Sequence, residues 1–184
     1  MAKTVSSWKS KKRYTILAPD NFEGKELGET ISSKPESMIG RTVDTSLGSI
    51  VGDRGKQYLK LVFQISEVKG DTVLTKFKKF FIPTGYLRSK VRKGTSKLDY
   101  IKELKFKEGK ARFKLMILTR SGISDDQKTA LYREIDGVLE AHQSDKLDHA
   151  VQLTLFGKMG TEVYKRCKSI MPITRVEIYE ISSK

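Results

Sequence analysis

The sequence predicts an α+β fold in which a strand-rich front part precedes a helical back part. In the clearest strand, every second residue is large and apolar: Leu59, Leu61, Phe63 and Ile65. Such a period-2 pattern is typical of a strand with one buried face. Beyond residue 123 the apolar residues recur at helical spacing instead. The charge changes at about the same place, from a net +15 over residues 1–120 to a net −1 over residues 121–184.

The front part divides into strands at its glycine, serine and proline residues. Pro19 and Pro83 each end an apolar run, because proline cannot donate to a strand ladder. Gly70-Asp71 marks the turn between the two longest runs. The predicted strands span 13–19, 26–32, 38–44, 56–70 and 71–83.

A short helix and a hairpin complete the front part. Thr84 is placed to cap a helix over 85–92, and a loop over 93–97 follows it. Residues 97–120 then alternate apolar and basic side chains on either side of Glu108-Gly109. This pattern predicts a β-hairpin that turns at that dipeptide.

Three helices and a strand make up the back part. Ser124 and Gln127 form the capping-box pattern that starts an amphipathic helix reaching about residue 142. Ser144 and Thr161 are the expected starts of two more helices, and Pro172 ends the last of them. The predicted organisation is a basic flexible arm (1–13) and a single α+β domain (14–184), comprising a basic β-rich part (14–120), a helical part (121–172) and a closing strand (173–181).

Composition narrows the class of protein. No apolar run approaches the ~18 residues that a membrane span needs, and the charged N-terminus lacks the apolar stretch of a secretory signal. A single cysteine, Cys167, cannot form an internal disulfide, which favours a reducing cytoplasm. The formal net charge of +14 lies in the front part and predicts a polyanionic partner.

Residues with catalytic potential do not converge. His142 and His149 fall on separate predicted helices and lack the close ligand pairs that zinc usually has, so satisfied or exposed histidines are expected. Cys167 has basic neighbours that would lower a thiol pKa, but it lies on the apolar stripe of its helix, which favours a core role. Nucleotide-binding glycine motifs are absent from the sequence.

The sharpest enzymatic hypothesis is a metal-dependent nuclease that uses Glu103 and Lys105, which share one face of a predicted strand. A second acidic ligand is missing, because Asp99 would lie roughly 13 Å from Glu103 at the usual rise of a strand. A surface ion pair is therefore the preferred interpretation of Glu103 and Lys105.

Lysine and arginine concentrate between residues 72 and 98, where eight of them occur without a single acid. Like charges repel one another in a compact chain, so an external polyanion is expected to supply the missing negative charge. Lysine offers a point charge and arginine a planar fork for phosphate. The candidate RNA-binding residues in this region, in the arm and near predicted turns are Lys9, Lys11, Lys12, Arg13, Arg41, Arg54, Lys56, Lys76, Lys78, Lys79, Arg88, Lys90, Arg92, Lys93 and Lys97.

Four segments occur in the same order as in one known protein family. They are "KKRYTILAPDNF" (11–22), "LGET" (27–30), "GRTVDTSL" (40–47) and "YKRCKSIMPITRVEI" (164–178). With these segments the chain resembles the archaeal form of the archaeal and eukaryotic small-subunit ribosomal protein family of the eukaryotic-type S-one, or S-three-a-e, kind. The resemblance extends from about residue 11 to residue 180.

The resemblance implies a structural protein of the small ribosomal subunit that is not an enzyme, and no cofactor is expected. It implies a β-barrel-like antiparallel or mixed sheet core with three or four flanking helices, located on the subunit platform near the mRNA exit. Expected partners are small-subunit ribosomal RNA, neighbouring ribosomal proteins and, at the exit, mRNA. The neutral back part would face solvent or protein neighbours. A metal-dependent RNA-processing nuclease and a non-ribosomal RNA-binding regulator stay open as alternatives.

Overall fold

The computed structural model describes residues 11–106, 109–144 and 146–183. The chain divides between Lys78 and Lys79 into two compact units, which we call the first unit and the second unit.

Most of the predicted basic arm, including Lys9, falls outside the described residues. Its last two residues, Lys12 and Arg13, lie in a strand instead, where they pair with Ser32 and Ile31 of the following strand. Ladder hydrogen bonds therefore hold the backbone of these two cations in the first unit.

The first unit is built from strands and short turns. Its elements are β1 (Lys12–Leu17), β2 (Glu26–Ser32), β3 (Thr42–Ser46), α1 (Leu47–Val51), β4 (Lys60–Lys69) and the first part of β5 (Thr72–Phe81). β1 pairs antiparallel with β2 and parallel with β5, and β4 pairs antiparallel with β3 and also joins β5. The strand predicted over 38–44 begins only at Thr42, because Pro35–Met38 form a 3₁₀ turn for which proline pre-sets the backbone.

The predicted alternation in β4 and the residue before it is confirmed. Leu59, Leu61, Phe63 and Ile65 are all buried, and the rings of Phe63 and Phe22 meet in a T-shaped contact at a centroid distance of 5.2 Å. Each such side chain contributes about 1.5–3 kcal/mol when it leaves water. The core of this unit also contains a cluster of Tyr14, Ile16, Met38, Ile65 and Val73.

The second unit combines a hairpin, a further strand and helices. Its elements are the last residues of β5, α2 (Thr84–Lys90), β6 (Ser96–Phe106), β7 (Gly109–Thr119), α3 (Asp125–Ala141), α4 (Leu147–Leu155), α5 (Lys158–Cys167) and β8 (Ile173–Ser183). β8 lies antiparallel between β5 and β7, and β7 pairs antiparallel with β6. α3 packs on α5 and β6, and α5 packs on β8, so these helices lie against the sheet.

The predicted hairpin is confirmed as β6 and β7, with Phe106 paired to Gly109 next to the turn. Residues 115–119 of β7 are buried on both faces of the strand, which the alternation did not predict. β7 is flanked by two strands, and a strand in that position can be covered on both faces.

Helix starts were predicted with mixed success. The capping box is confirmed: the Gln127 backbone N–H donates to Ser124 Oγ at 3.3 Å, and the Ser124 N–H donates to Gln127 Oε1 at 3.2 Å. Ser144 as the start of the next helix is wrong, because the N-cap of α4 is Lys146.

Thr84 and Thr161 as helix caps are also wrong. α2 begins at Thr84 itself after an N-cap at Pro83, and α5 begins at Lys158 after Gly157, whose φ is +73°. Glycine adopts this left-handed conformation without strain and so allows the chain to turn directly into α5. The Thr161 hydroxyl lies one turn inside the helix and donates to the Gly157 carbonyl at 2.9 Å.

The α+β fold class is confirmed. The strands follow the path β2-β1-β5-β8-β7-β6, with β3 and β4 joined to it at β5, and the parallel β1–β5 pair makes the sheet mixed. Within the described residues β2 and β6 do not pair, so the sheet is open and not closed into a barrel. Four described helices, α2 to α5, have seven or more residues. None of the described helices has the length and apolarity required to cross a membrane.

Candidate RNA-binding surface

The densest group of predicted cations in the second unit consists of Arg88, Lys90, Arg92, Lys93 and Lys97, which we call the α2 patch. Arg88, Arg92 and Lys93 are exposed, and no carboxylate of the described residues lies within ion-pair distance of them. Lys90 Nζ lies 4.5 Å from the ring centroid of Tyr86, and Lys97 Nζ lies 2.7 Å from Asp99 Oδ2. Arg88, Arg92 and Lys93 are therefore open to an external anion.

A tight turn presents two of these cations. α2 ends at Lys90, and the Thr95 hydroxyl and backbone N–H both donate to the Arg92 carbonyl, at 2.7 and 3.1 Å. Gly94 completes the turn with a φ of +84°, a value that favours glycine. Arg92 and Lys93 thus lie at the tip of a turn whose backbone is fixed by its own hydrogen bonds.

A cleft of about 220 Å³ lies beside the α2 patch and is lined by Thr84, Leu87, Arg88, Val91 and Lys97. Val91 is 39% exposed although it is apolar, and it adjoins the buried Leu87. The cleft thus joins an apolar wall to two cations. An RNA backbone likewise places less polar sugars next to charged phosphates, so it could contact the apolar wall and the cations together.

Two of the predicted arginines of the first unit, Arg13 and Arg41, have exposed side chains. Arg13 pairs with Glu29 at 3.7 Å, and both side chains are more than half exposed. Arg41 precedes β3, and its guanidinium lies 3.5 Å from Ser37 Oγ. Exposed ion pairs contribute about 0–1 kcal/mol, so a phosphate competes readily for such arginines.

Arg54 and Lys56 lie in the short 3₁₀ turn Arg54–Lys56. Asp53 caps this turn by accepting a hydrogen bond from the Gly55 N–H at 2.8 Å, and Lys56 Nζ lies 3.9 Å from the same carboxylate. Arg54 is exposed and has no ion pair among the described residues.

The lysines of β5 differ in how well acidic residues of the chain neutralise their positive charge. Lys76 is exposed and Lys78 half-buried, whereas Lys79 Nζ lies 3.5 Å from Glu180 and 5.2 Å from the Phe81 ring centroid. Glu180 also pairs with Lys114 at 3.0 Å. Lys79 is thus the least available of the three to an external anion.

The structure gives no support to the nuclease hypothesis. Arg112 Nε and Nη2 both donate to Glu103 Oε1 across the hairpin, at 2.9 and 2.6 Å, so this carboxylate is held by an arginine. Across the described part of the chain, no group of three or more His, Cys, Asp or Glu side chains could hold a metal ion.

The other residues with catalytic potential have structural environments. His142 Nε2 lies 2.9 Å from Glu162 Oε2, as expected for a satisfied histidine. Cys167 is fully buried, and burial, with a further contribution from Glu134, raises the pKa of its thiol to about 11. The core role predicted for Cys167 is confirmed, and its basic neighbours do not activate the thiol.

A polar cluster between β6 and α3 escaped the sequence analysis. Asp136 accepts hydrogen bonds from Tyr100 and Lys102, and Lys102 also contacts Glu140 Oε1 at 2.8 Å. Burial raises the pKa of Tyr100, and the hydrogen bond to Asp136 raises it further. Burial is the largest single influence and would raise the pKa of Asp136 and lower that of Lys102. The hydrogen bonds with Tyr100 and Glu140, the mutual hydrogen bond and the attraction between opposite charges together outweigh it, so the pKa of Asp136 is lowered and that of Lys102 raised.

Two exposed cations of the second unit, Arg120 and Lys168, also line a cavity but were absent from the predicted set. They are distant in sequence, and the basic residues next to Lys168 were considered only for their effect on the pKa of Cys167. No local pattern could have paired them, because their proximity depends on how α5 meets the ends of β7 and β8.

Comparison with known proteins identifies a family and relatives that this sequence matches. A sequence model of the Ribosomal S3Ae family matches residues 1–183. The chain is 38% identical over 174 residues to the small ribosomal subunit protein eS1 of Methanobrevibacter smithii, covering 94% of this chain and 90% of that protein. It is 37% identical over 186 residues to the protein of the same name from Archaeoglobus fulgidus, covering 98% and 87% of the two chains. The corresponding values for the protein of that name from Halorubrum lacusprofundi are 36% over 183 residues, with 98% and 85% covered. The chain therefore belongs to the ribosomal S3Ae family, and its role is that of a structural, non-enzymatic ribosomal protein.

Proposed function

We propose that this protein binds ribosomal RNA as part of the small ribosomal subunit, on the platform near the mRNA exit, and acts there in cytoplasmic translation. Its partners are small-subunit ribosomal RNA, neighbouring small-subunit proteins and mRNA leaving the exit. The proposal needs no cofactor, membrane or small-molecule substrate.

The observation that carries the proposal is the α2 patch. Arg88, Arg92 and Lys93 are exposed on α2 and a hydrogen-bonded turn, without a carboxylate partner in the described residues. Concentrated positive charge of this kind is destabilising in the free protein and becomes favourable when phosphates approach it. The other twelve predicted cations extend the proposed RNA contacts beyond these three residues: Lys9, Lys11, Lys12, Arg13, Arg41, Arg54, Lys56, Lys76, Lys78, Lys79, Lys90 and Lys97.

RNA binding by the purified full-length protein tests the first part of the proposal. Each phosphate contact contributes about 0.9 to the slope of log affinity against log salt for a duplex. The triple variant R88Q/R92Q/K93Q should therefore reduce the magnitude of the slope for a structured ribosomal RNA fragment by up to about 2.7. A matched triple variant, K128Q/K146Q/K158Q, removes the same charge from the helical part and should leave the slope near that of the wild type. Equal slopes for the two triple variants would contradict a role for the α2 patch.

Sedimentation in a cell extract tests the ribosomal part. Tagged wild-type protein should migrate with small subunits in a sucrose gradient and stay there after a moderate salt wash, whereas R88Q/R92Q/K93Q should be released at lower salt. Protein that stays at the top of the gradient even at low salt would favour a non-ribosomal RNA-binding regulator. If the protein migrates with small subunits, crosslinking it to ribosomal RNA tests the platform location.

A further inference from the structure

The cavity lined by Arg120 and Lys168 lies in the second unit, where β7 ends, β8 begins and α5 ends. Its volume is about 350 Å³, and its other lining residues are Tyr164, Pro172, Ile173 and Thr174. Thr119 pairs with Ile173, and the Arg120 N–H donates to the Pro172 carbonyl at 3.3 Å. Strand pairing thus fixes one wall of the cavity, and the last turn of α5 supplies the other.

The charge of this cavity is uncompensated. Its lining contains no acid, and neither Arg120 nor Lys168 has a carboxylate of the described residues within ion-pair distance. Both side chains are exposed, so they can reach a ligand without leaving a buried environment. The cavity therefore favours an anion, although all its lining residues except Arg120 belong to the charge-neutral back part of the chain.

The lining also carries a flat aromatic surface. Tyr164 and Lys168 are one helical turn apart and so project from the same face of α5. Tyr164 is half-buried, which exposes part of its ring to the cavity that it lines. Proline and isoleucine add apolar surface, and the Thr174 side chain adds a hydroxyl.

The size of the cavity distinguishes the possible anions. Sites for small organic ligands occupy about 300–1,000 Å³, so a cavity of about 350 Å³ has room for more than a bare phosphate. A guanidinium and an ammonium beside an aromatic ring match a phosphate joined to a base. Aromatic stacking and phosphate contacts together are the usual means of binding single-stranded RNA.

We propose that this cavity binds one unstacked nucleotide of an RNA strand, with its phosphate between Arg120 and Lys168 and its base against Tyr164. The inference rests on the proposed RNA-binding function and adds a second contact, away from the α2 patch in sequence and specific for single-stranded RNA. A duplex would not use it, because paired bases are not available for stacking on a side chain.

Fluorescence anisotropy with a labelled single-stranded 12-mer and a 12-base-pair RNA duplex tests the inference on the full-length protein. For single strands each phosphate contact contributes about 0.7 to the salt slope, so R120Q/K168Q should reduce its magnitude by about 1.4. The matched variant K158Q/K165Q removes the same charge from α5 without touching this cavity, and should leave the slope unchanged. Y164L should weaken binding of the single strand about tenfold, whereas Y164F, which keeps the ring, should bind like the wild type. Duplex binding should be unaffected by either change at Tyr164.

The outcomes separate this inference from the proposed function. If the wild-type protein binds neither RNA, both fail. If R88Q/R92Q/K93Q weakens RNA binding but R120Q/K168Q behaves like K158Q/K165Q, only the nucleotide site is refuted. Free uridine monophosphate that displaces the 12-mer at micromolar concentration would make this a mononucleotide site and overturn the inference. Polyglutamate binding that depends on Arg120 and Lys168, with no effect of Y164L on RNA, would assign the cavity to an acidic protein segment and also overturn it.

Discussion

Replacing Lys102 by methionine should lower the free energy of unfolding by about 2 kcal/mol, between the costs for exposed and buried ion pairs. The ammonium group contacts Asp136 and, at 2.8 Å, Glu140, and the Lys102 side chain is only 23% exposed. Methionine keeps most of the aliphatic stem but leaves two carboxylates one helical turn apart without their shared cation. The variant thus removes charged hydrogen bonds between β6 and α3 and adds repulsion within α3.

The magnitude follows from the exposure of the partners. Losing one member of a fully buried ion pair costs about 3–5 kcal/mol, whereas an exposed pair contributes about 0–1 kcal/mol. The Asp136 side chain is 35% exposed, so water screens part of the charge that remains after the substitution. Repulsion between Asp136 and Glu140 adds about 0.2–0.5 kcal/mol. An intermediate value of about 2 kcal/mol is the expected sum.

Urea unfolding followed by circular dichroism at pH 7 measures this difference. The control is K128M, because Lys128 pairs with Asp125, whose side chain is 95% exposed, and no measurable change is expected there. Equal losses for K102M and K128M would refute the reasoning.

The effect of K102M should also depend on pH. The pKa of Asp136 is lowered in the folded state, so its stabilising contribution is complete above the ordinary carboxyl pKa and disappears as the pH falls through the folded value. The cost of K102M should therefore shrink on acidification. A cost that stays constant down to the acid limit of folding would show that methionine disturbs packing and not charge.

Three further predictions concern stability. Because burial raises the pKa of the Cys167 thiol from 9.0 to about 11, the unfolded thiol ionises first. The free energy of unfolding should then fall by about 1 kcal/mol from pH 9 to pH 10, and C167A should reduce that fall in alkaline urea titrations. Gly48→Ala should destabilise by about 1–3 kcal/mol, since the new Cβ would lie 2.6 Å from the Asp53 carbonyl oxygen. Gly137→Ala lies inside α3, where the new Cβ would be 3.5 Å from its nearest neighbour, and should instead stabilise by about 1 kcal/mol. Shifts of the melting temperature in the same direction for these two variants would contradict this contrast. Ser124→Ala should cost about 1 kcal/mol in thermal unfolding through loss of the capping box, and an unchanged melting temperature would refute that role.

The elements that sequence reasoning predicted best are those with local signals. The alternation of Leu59 to Ile65 and the capping box at Ser124 each depend on residues within a few positions of one another, and both are confirmed. Helix starts without such a box were misplaced. In α5 the left-handed Gly157 begins the helix, and a threonine one turn later resembles a cap only in sequence.

Charge density was also visible in the sequence, but the pairing of charges was not. The absence of acids around Arg88 to Lys97 is local information, and it located the α2 patch. The contacts of Lys102 with Asp136 and of Arg112 with Glu103 depend on how β6 meets α3 and β7. The cavity at Arg120 and Lys168 likewise requires three element ends to meet, so only the folded structure brings it together.

The position of β8 constrains when the second unit can fold. Residues 173–183 are synthesised after every other described strand, yet β8 lies between β5 and β7. While residues 173–183 of a nascent chain are still inside the ribosome, one side of β7 and the end of β5 are unpaired edges. Such edges can pair with strands of other chains. The hairpin of β6 and β7 can form early, because its contacts are local. The sheet of the second unit is therefore completed only after β8 has left the ribosome, and until then the unpaired edges of β7 and β5 are exposed to aggregation.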